Sequence, residues 1–77
     1  MKMTAREMFE KLGYRRSTDI DMIKYSKKLD DTVYWIKVIF DLSEKEIVLD
    51  NNGYEAYIIT CALLKAINKQ CQELGWI

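Results

Sequence analysis

The sequence lacks histidine and proline altogether, and its 77 residues include only three glycines and two cysteines. Histidine is the usual general base near neutral pH and the commonest metal ligand in proteins. A structural zinc site takes four cysteine or histidine ligands, which two cysteines cannot supply. The glycines form no phosphate-binding loop, and no Gly-Lys-Ser/Thr sequence occurs. These absences predict a non-enzymatic protein with no catalytic, cofactor-binding or metal-binding residues.

Long apolar stretches are also missing. None approaches the ~20 residues that a helix needs to cross a bilayer, and the first residues lack the apolar core of a secretory signal. Cys61 and Cys71 would lie about 15 Å apart on one helix, which is too far for a disulfide. Reduced cysteines are typical of the cytosol. We therefore expect a cytoplasmic protein without a membrane partner.

What the chain does contain is enough apolar material for one small domain spanning residues 1–77. The apolar fraction is 49% and the aromatic fraction 12%, which are too high for a disordered chain. A chain of this size buries only roughly 60% of its unfolded surface, so we expect modest stability. The 12 basic and 12 acidic residues balance, and they give the molecule no net attraction to nucleic acid.

Helical patterns stand at both ends of the chain. Thr4 and Glu7 have the spacing of a capping box, and apolar residues follow at helical spacing up to Leu12. A second apolar stripe begins after Thr60, a candidate N-cap, and ends at Leu74. Both segments close on Leu-Gly-aromatic, which favours a helix stop with glycine in the left-handed conformation and the aromatic residue folded back. A repeated functional element is the alternative interpretation.

Between the helices, the hydrophobic period changes from 3.6 to 2 and predicts strands over residues 22–28, 33–42 and 45–50. Residues 29–32 are turn-like, and 51–53 (Asn-Asn-Gly) indicate a hairpin that leads into an optional fourth strand over 54–59. Residues 15–21 form either a loop or a short edge strand. The prediction is an α+β domain of order α-β-β-β-(β)-α, an antiparallel meander of three to four strands with both helices on one face.

The two faces of the sheet differ in their predicted roles. The helix-covered set alternates along the central strand and its neighbour: Tyr34, Ile36, Val38, Phe40, Leu42, Ile47 and Leu49. The opposite face mixes apolar and charged groups where an ordinary solvent face is polar. This mixture predicts an interface for self-association or for a protein partner, formed by Met22, Trp35, Lys37, Ile39, Glu46 and Val48. The alternative is that lysine stems simply shield these apolar groups.

Two other features have competing interpretations. Cys61 begins the second helix, where the helix dipole can activate a thiol, but a small residue at a helix start is the simpler reading. Cys71 lies on the apolar stripe and is expected to be packed in the core. The aspartate pairs at 30–31 and at 19 and 21 lie in turn-like segments, where aspartate commonly makes local hydrogen bonds.

Nucleic-acid binding is the alternative function. A helix, a three-strand meander and a helix also form the double-stranded-RNA-binding domain, which uses lysines at the start of its second helix. Here that turn carries only Lys65. A basic set near the N-terminus supplies the candidate phosphate contacts: Arg6, Lys11, Tyr14, Arg15 and Arg16.

Two segments carry a resemblance to a known group of proteins. The sequences MTAREMFEKLGY (residues 3–14) and LKAINKQCQELGW (residues 64–76) resemble the ends of small proteins encoded by phages and prophages of Firmicutes. Both segments are predicted helices with their stop signals, so the resemblance concerns the fold. It implies a cytoplasmic accessory protein of a phage or its host, and it carries over no functional residues.

Overall fold

The computed structural model describes residues 2–29, 33–53 and 58–77. It confirms a small α+β domain with a four-stranded antiparallel sheet in the order β1-β2-β3-β4, against which the helices pack. The elements, in chain order, are α1 (Ala5–Lys11), β1 (Arg15–Thr18), β2 (Met22–Lys28), β3 (Trp35–Asp41), β4 (Glu46–Asn51) and α2 (Cys61–Glu73).

Helix α1 begins and ends as the sequence predicts. The Thr4 hydroxyl accepts from the Glu7 N–H (3.1 Å), and the Glu7 carboxylate accepts from the Thr4 N–H (2.9 Å). Gly13 ends the helix with φ +91°, and the Tyr14 N–H donates to the Phe9 carbonyl (3.0 Å). The rings of Phe9 and Tyr14 meet edge to face at 5.6 Å. The first Leu-Gly-aromatic sequence is therefore a helix stop.

Helix α2 repeats this design at the far end of the chain. Thr60 caps it by accepting from the Leu63 N–H (3.1 Å). Gly75 has φ +75°, and the Trp76 N–H donates to the Cys71 carbonyl (2.9 Å). The second Leu-Gly-aromatic sequence is thus also a helix stop.

The fourth strand comes from a different segment than the hairpin signal indicated. It is β1, which pairs with β2 from Arg15↔Ser26 to Thr18↔Ile23. Ile58 and Ile59 are not in a strand, and the rest of the optional strand over 54–59 lies outside the described residues. So do residues 30–32 of the predicted turn. All four residues of β1 are exposed, so backbone pairing with β2, and not burial of apolar side chains, makes this segment a strand.

The core lies between the helices and the two central strands. The Phe9 ring of α1 stacks on Tyr25 of β2 with centroids 3.8 Å apart, and Phe40 of β3 meets both rings edge-on. Val38 and Phe40 are fully buried, as predicted.

The predicted helix-covered set is wrong for three of its members. Tyr34, Ile47 and Leu49 are 39%, 39% and 37% exposed. Ile47 and Leu49 stand beside Phe40 and Val38 in the sheet and so share the helix side. All the buried core residues of the strands belong to β2 and β3, whereas β4 at the sheet edge has no buried residue. The two helices are too narrow to cover that edge.

Candidate interaction surface on the outer sheet face

The strand register brings the predicted interface residues onto one face, opposite the helices. Side chains alternate between the faces of a strand. Because Ile23, Tyr25, Val38 and Phe40 are buried under the helices, their sequence neighbours point outward. We call this the outer face; it comprises Arg15, Ser17, Met22, Lys24, Ser26, Lys28, Trp35, Lys37, Ile39, Asp41, Glu46, Val48 and Asp50.

One half of the outer face is apolar and acidic. Ile39 and Val48 are direct cross-strand partners, and Met22 lies diagonally beside Ile39. Val48 is 44% exposed, while Ile39 and Met22 are half-buried. Asp41 and Glu46 pair at the end of this half, next to Met22. The sequence predicted this group, and the register places its members in contact range.

The acidic end is fixed by a local hydrogen-bond network. The Asp41 carboxylate accepts from the backbone N–H groups of Glu44 (3.1 Å) and Ser43 (3.1 Å) and from the Ser43 hydroxyl (2.9 Å). These bonds, led by the one from Glu44, hold the pKa of Asp41 below its ordinary value of 3.8. Asp41 is therefore charged at neutral pH.

The other half of the outer face contains the aromatic ring of Trp35 and the cations Arg15, Lys28 and Lys37, with Asp50 across from Lys37. The Lys37 ammonium lies 4.4 Å from the centre of the Trp35 ring, a cation–π contact. The Trp35 backbone N–H donates to the Asn52 side-chain oxygen (2.7 Å), which fixes the start of β3. Lys37 thus lies between Trp35 and Ile39, so the indole and the Ile39–Val48 pair are separate contact areas.

An open groove of about 490 Å³ lies at this basic end, where β2 ends and β3 begins. Its described lining contains four cations, one aromatic ring and no carboxylate: Gly13, Arg15, Ser26, Lys27, Lys28, Val33, Trp35 and Lys37. Ion pairs between described residues join Arg6 to Glu10 and Lys24 to Asp19, and neither involves a groove cation. The groove is the largest concentration of positive charge that the sheet presents.

The structure separates the N-terminal basic set. Arg6 pairs with Glu10 on α1 (3.6 Å), where Lys11 also lies, and Tyr14 is buried in the core at 6% exposure. Arg15 faces outward opposite Ser26, but Arg16 stands beside Tyr25 on the helix side. The predicted patch therefore does not form one surface. Sequence reasoning missed that Arg15 joins the cations of β2 and β3, because that requires knowing that residues 15–18 pair with β2.

Cys61 and Asp19 lie at the surface, and Asp30 and Asp31 lie outside the described residues. Cys61 is exposed and Cys71 buried, both are free, and burial raises the pKa of Cys71. Asp19 forms an ion pair with Lys24 (3.5 Å). Over residues 2–29, 33–53 and 58–77, no group of three or more histidine, cysteine, aspartate or glutamate side chains is placed to hold a metal ion.

The sequence analysis did not predict one buried polar pair. The Tyr25 hydroxyl donates to the Gln70 side-chain oxygen (2.6 Å), and both residues are buried. Burial raises the pKa of Tyr25. Gln70 interrupts the apolar stripe of α2, and a polar residue at a core position was the signal that could have found it. The pair lies inside the core, so its role is structural.

Comparisons with known proteins add no functional assignment. No protein-family model matches the sequence, and neither the curated proteins nor the solved structures give a match. Within the described part of the chain, no helix is both long and apolar enough to span a membrane. Function must therefore be argued from the outer face itself.

Proposed function

We propose that this protein is a non-enzymatic accessory module that self-associates through its outer face as a symmetric dimer. The observation that carries the proposal is the separation of charge on that face. Asp41 and Glu46 stand at one end, the cations Lys28 and Lys37 stand toward the other with Asp50 beside Lys37, and Ile39 with its partner Val48 lies between them. Lys24, which stands beside Ile39, is paired with Asp19 at 3.5 Å.

A two-fold axis explains why this pattern favours a second copy of the chain. In a symmetric dimer the same patch meets itself. When the strands of the two facing sheets run in opposite directions, the Lys37 end of one protomer lies over the Glu46 end of the other. The apolar pair Ile39 and Val48 then meets its own copy at the centre. Such electrostatic complementarity sets orientation and excludes wrong pairings.

The size of the face predicts weak association. Four strands about 4.8 Å apart, of which the longest have seven residues, span at most roughly 19 by 23 Å, or about 440 Å². A standard stable interface buries about 800 Å² on each partner. We therefore expect a dimer whose population depends on concentration, and a formal net charge of zero adds no overall repulsion.

The biological setting follows from the resemblance of the two terminal segments to phage and prophage proteins. We infer an accessory role in the cytoplasm of such a host, where free thiols like those of Cys61 and Cys71 remain reduced. A protein partner other than a second copy is the competing occupant of the outer face.

Sedimentation of two variants tests the proposal. Trp35→Lys and Val48→Lys each place an uncompensated charge in the contact and should leave the protein monomeric with an unchanged circular dichroism spectrum. Leu64→Lys is the matched control, because Leu64 is 57% exposed on α2, away from the outer face. Association that persists in both outer-face variants would sink the proposal, as would a strict monomer in the unaltered protein.

A further inference from the structure

The groove at the basic end of the outer face brings three outward-facing cations together beside an aromatic ring. We propose that this groove binds a nucleotide unit, either within a single-stranded nucleic acid or as a free nucleotide. The base stacks on Trp35, and the phosphate lies among Arg15, Lys28 and Lys37. This inference goes beyond the self-association, because it depends on Arg15 and Ser26, which the proposed dimer contact does not use.

Charge is the first argument. Arg15 and Lys37 flank Ser26 from the two neighbouring strands, and Lys28 adds a third cation two residues along β2. Like charges held together repel one another unless an anion lies between them. The described lining supplies no carboxylate, and the nearest outer-face carboxylate in the strand register is that of Asp50, across from Lys37 on β4 and away from Arg15 and Lys28. A phosphate group is the kind of anion that arginine and lysine bind together.

The aromatic ring is the second argument, and it distinguishes a nucleotide from a bare anion. Trp35 lies in the same groove as the cations, with Lys37 4.4 Å from its ring centre. Stacking of a base on an aromatic side chain is stronger than a solvent-exposed cation–π contact. A base can therefore replace the Lys37 ammonium over the ring, and the released ammonium is then free to contact the phosphate.

Shape is the third argument. The volume of about 490 Å³ falls within the range of small-ligand sites. The groove is open to solvent, so a strand of nucleic acid can reach it. Basic grooves with an aromatic stacking residue on an antiparallel sheet are the general arrangement by which single strands are bound without sequence preference.

The test is a fluorescence titration with single-stranded oligo(dT). The Trp76→Phe background leaves Trp35 as the only tryptophan of the chain, and stacking should quench its emission. With one phosphate neutralised in the groove the slope of log K against log salt is about −0.7, so affinity should fall roughly 2.6-fold between ~50 and ~200 mM salt. AMP and inorganic phosphate are the second and third probes.

Two double variants distinguish binding in the groove from attraction by the overall charge of the protein. Arg15→Glu with Lys28→Glu should reduce affinity at least tenfold. Lys2→Glu with Lys65→Glu makes the same change in net charge at two exposed positions outside the groove, and it should leave affinity within about twofold. Trp35→Phe should retain binding, whereas Trp35→Leu should lose most of it because only an aromatic ring can stack. These two variants lack the reporter tryptophan, so their binding is followed by the anisotropy of a dye-labelled oligo(dT).

Each outcome has a defined meaning. Quenching by oligo(dT) alone assigns the site to single strands, and equal quenching by AMP assigns it to free nucleotides. Binding of inorganic phosphate as tight as that of AMP would overturn the nucleotide assignment, because the base would then add nothing, and equal binding of poly-glutamate would overturn it as well. An absence of salt-dependent binding by ~1 mM oligonucleotide at low salt would overturn it altogether.

Discussion

The ammonium of Lys37 lies 4.4 Å from the ring centre of Trp35, so these two neighbours on β3 form one unit. That unit serves both proposed contacts. In the dimer, Lys37 meets the acidic end of the second copy, and in the groove it flanks a bound phosphate. A ligand that occupies the groove must therefore compete with self-association.

Competition predicts that oligo(dT) lowers the average molar mass of the protein. Under conditions where the unliganded protein is partly dimeric, saturating oligonucleotide should shift it to a one-to-one complex, because Trp35 and Lys37 cannot face both partners. Sedimentation recorded at 280 and 260 nm gives the stoichiometry. In the double variant Arg15→Glu with Lys28→Glu the oligonucleotide should have no effect on mass. A complex with two protein chains and undiminished association would show that the contacts are independent.

The buried hydrogen bond between Tyr25 and Gln70 predicts that Tyr25→Phe lowers the free energy of unfolding. Tyr25→Phe removes the donor and leaves the Gln70 side-chain oxygen buried without its 2.6 Å partner. Leaving such a group unsatisfied costs about 1–3 kcal/mol. Urea denaturation should show this loss in the free energy of unfolding.

A double variant provides the control for this pair. Tyr25→Phe with Gln70→Met replaces both polar partners by apolar groups of similar size, which can be nearly neutral. The double variant should therefore be more stable than Tyr25→Phe alone. Equal stability of the two would mean that the hydrogen bond is not what holds Gln70 in the core.

The glycines that end the two helices, Gly13 and Gly75, should differ in how much substitution by alanine destabilises the protein. Gly13 has φ +91°, and an added Cβ would lie 3.3 Å from the Lys27 side chain. Gly75 has φ +75° and open space around the position of a Cβ. Alanine at either site should cost about 1 kcal/mol, since left-handed conformations are unfavourable for L-residues. Gly13→Ala should cost more, because its φ is further from the left-handed minimum and Lys27 must move. Thermal unfolding that ranks Gly75→Ala as the worse change would contradict this order.

Asp41 predicts a pH dependence with a defined sign. Its folded-state pKa lies below the ordinary 3.8, so the folded protein binds fewer protons than the unfolded chain in acid. The Asp41 contribution is then present above about pH 4 and is lost as the pH falls through the lowered folded pKa. Asp41→Asn should flatten the acid limb of a stability profile, while Asp50→Asn on β4 serves as the matched control. If the stability of the unaltered protein and of Asp41→Asn fell equally steeply with decreasing pH, the proposed contribution of Asp41 would be contradicted.

Much of the fold could be predicted from local signals. The capping box at Thr4 and the stops at Gly13 and Gly75 depend on residues within six positions of each other, so the sequence specifies them directly. The strand Met22–Lys28 was predicted with its observed bounds. Alternation along β3 also placed Trp35 and Ile39 on the face opposite Val38, because the period of a strand fixes which side chains share a face.

Long-range pairing could not be predicted in the same way. Residues 15–18 carry no apolar alternation, and only their pairing with β2 makes them a strand and moves Arg15 toward Lys28. The prediction that the helices cover Ile47 was wrong. Strand alternation places Ile47 on the helix side of the sheet, but the width of the helices decides whether a residue at the sheet edge is buried. Gln70 was missed because its partner lies 45 residues away.

The most direct test of the central claim is the molar mass of two complementary charge variants, measured by light scattering over a wide concentration range. The unaltered protein should rise from the monomer mass of 9.1 kDa toward twice that value. Lys37→Glu and Glu46→Lys should each stay at the monomer mass, because each places like charges across the two-fold contact. An equimolar mixture of the two should regain the rise, since opposite charges face each other again. A mixture that stays monomeric while the unaltered protein associates would contradict association through the outer face, and so would variants that associate normally on their own.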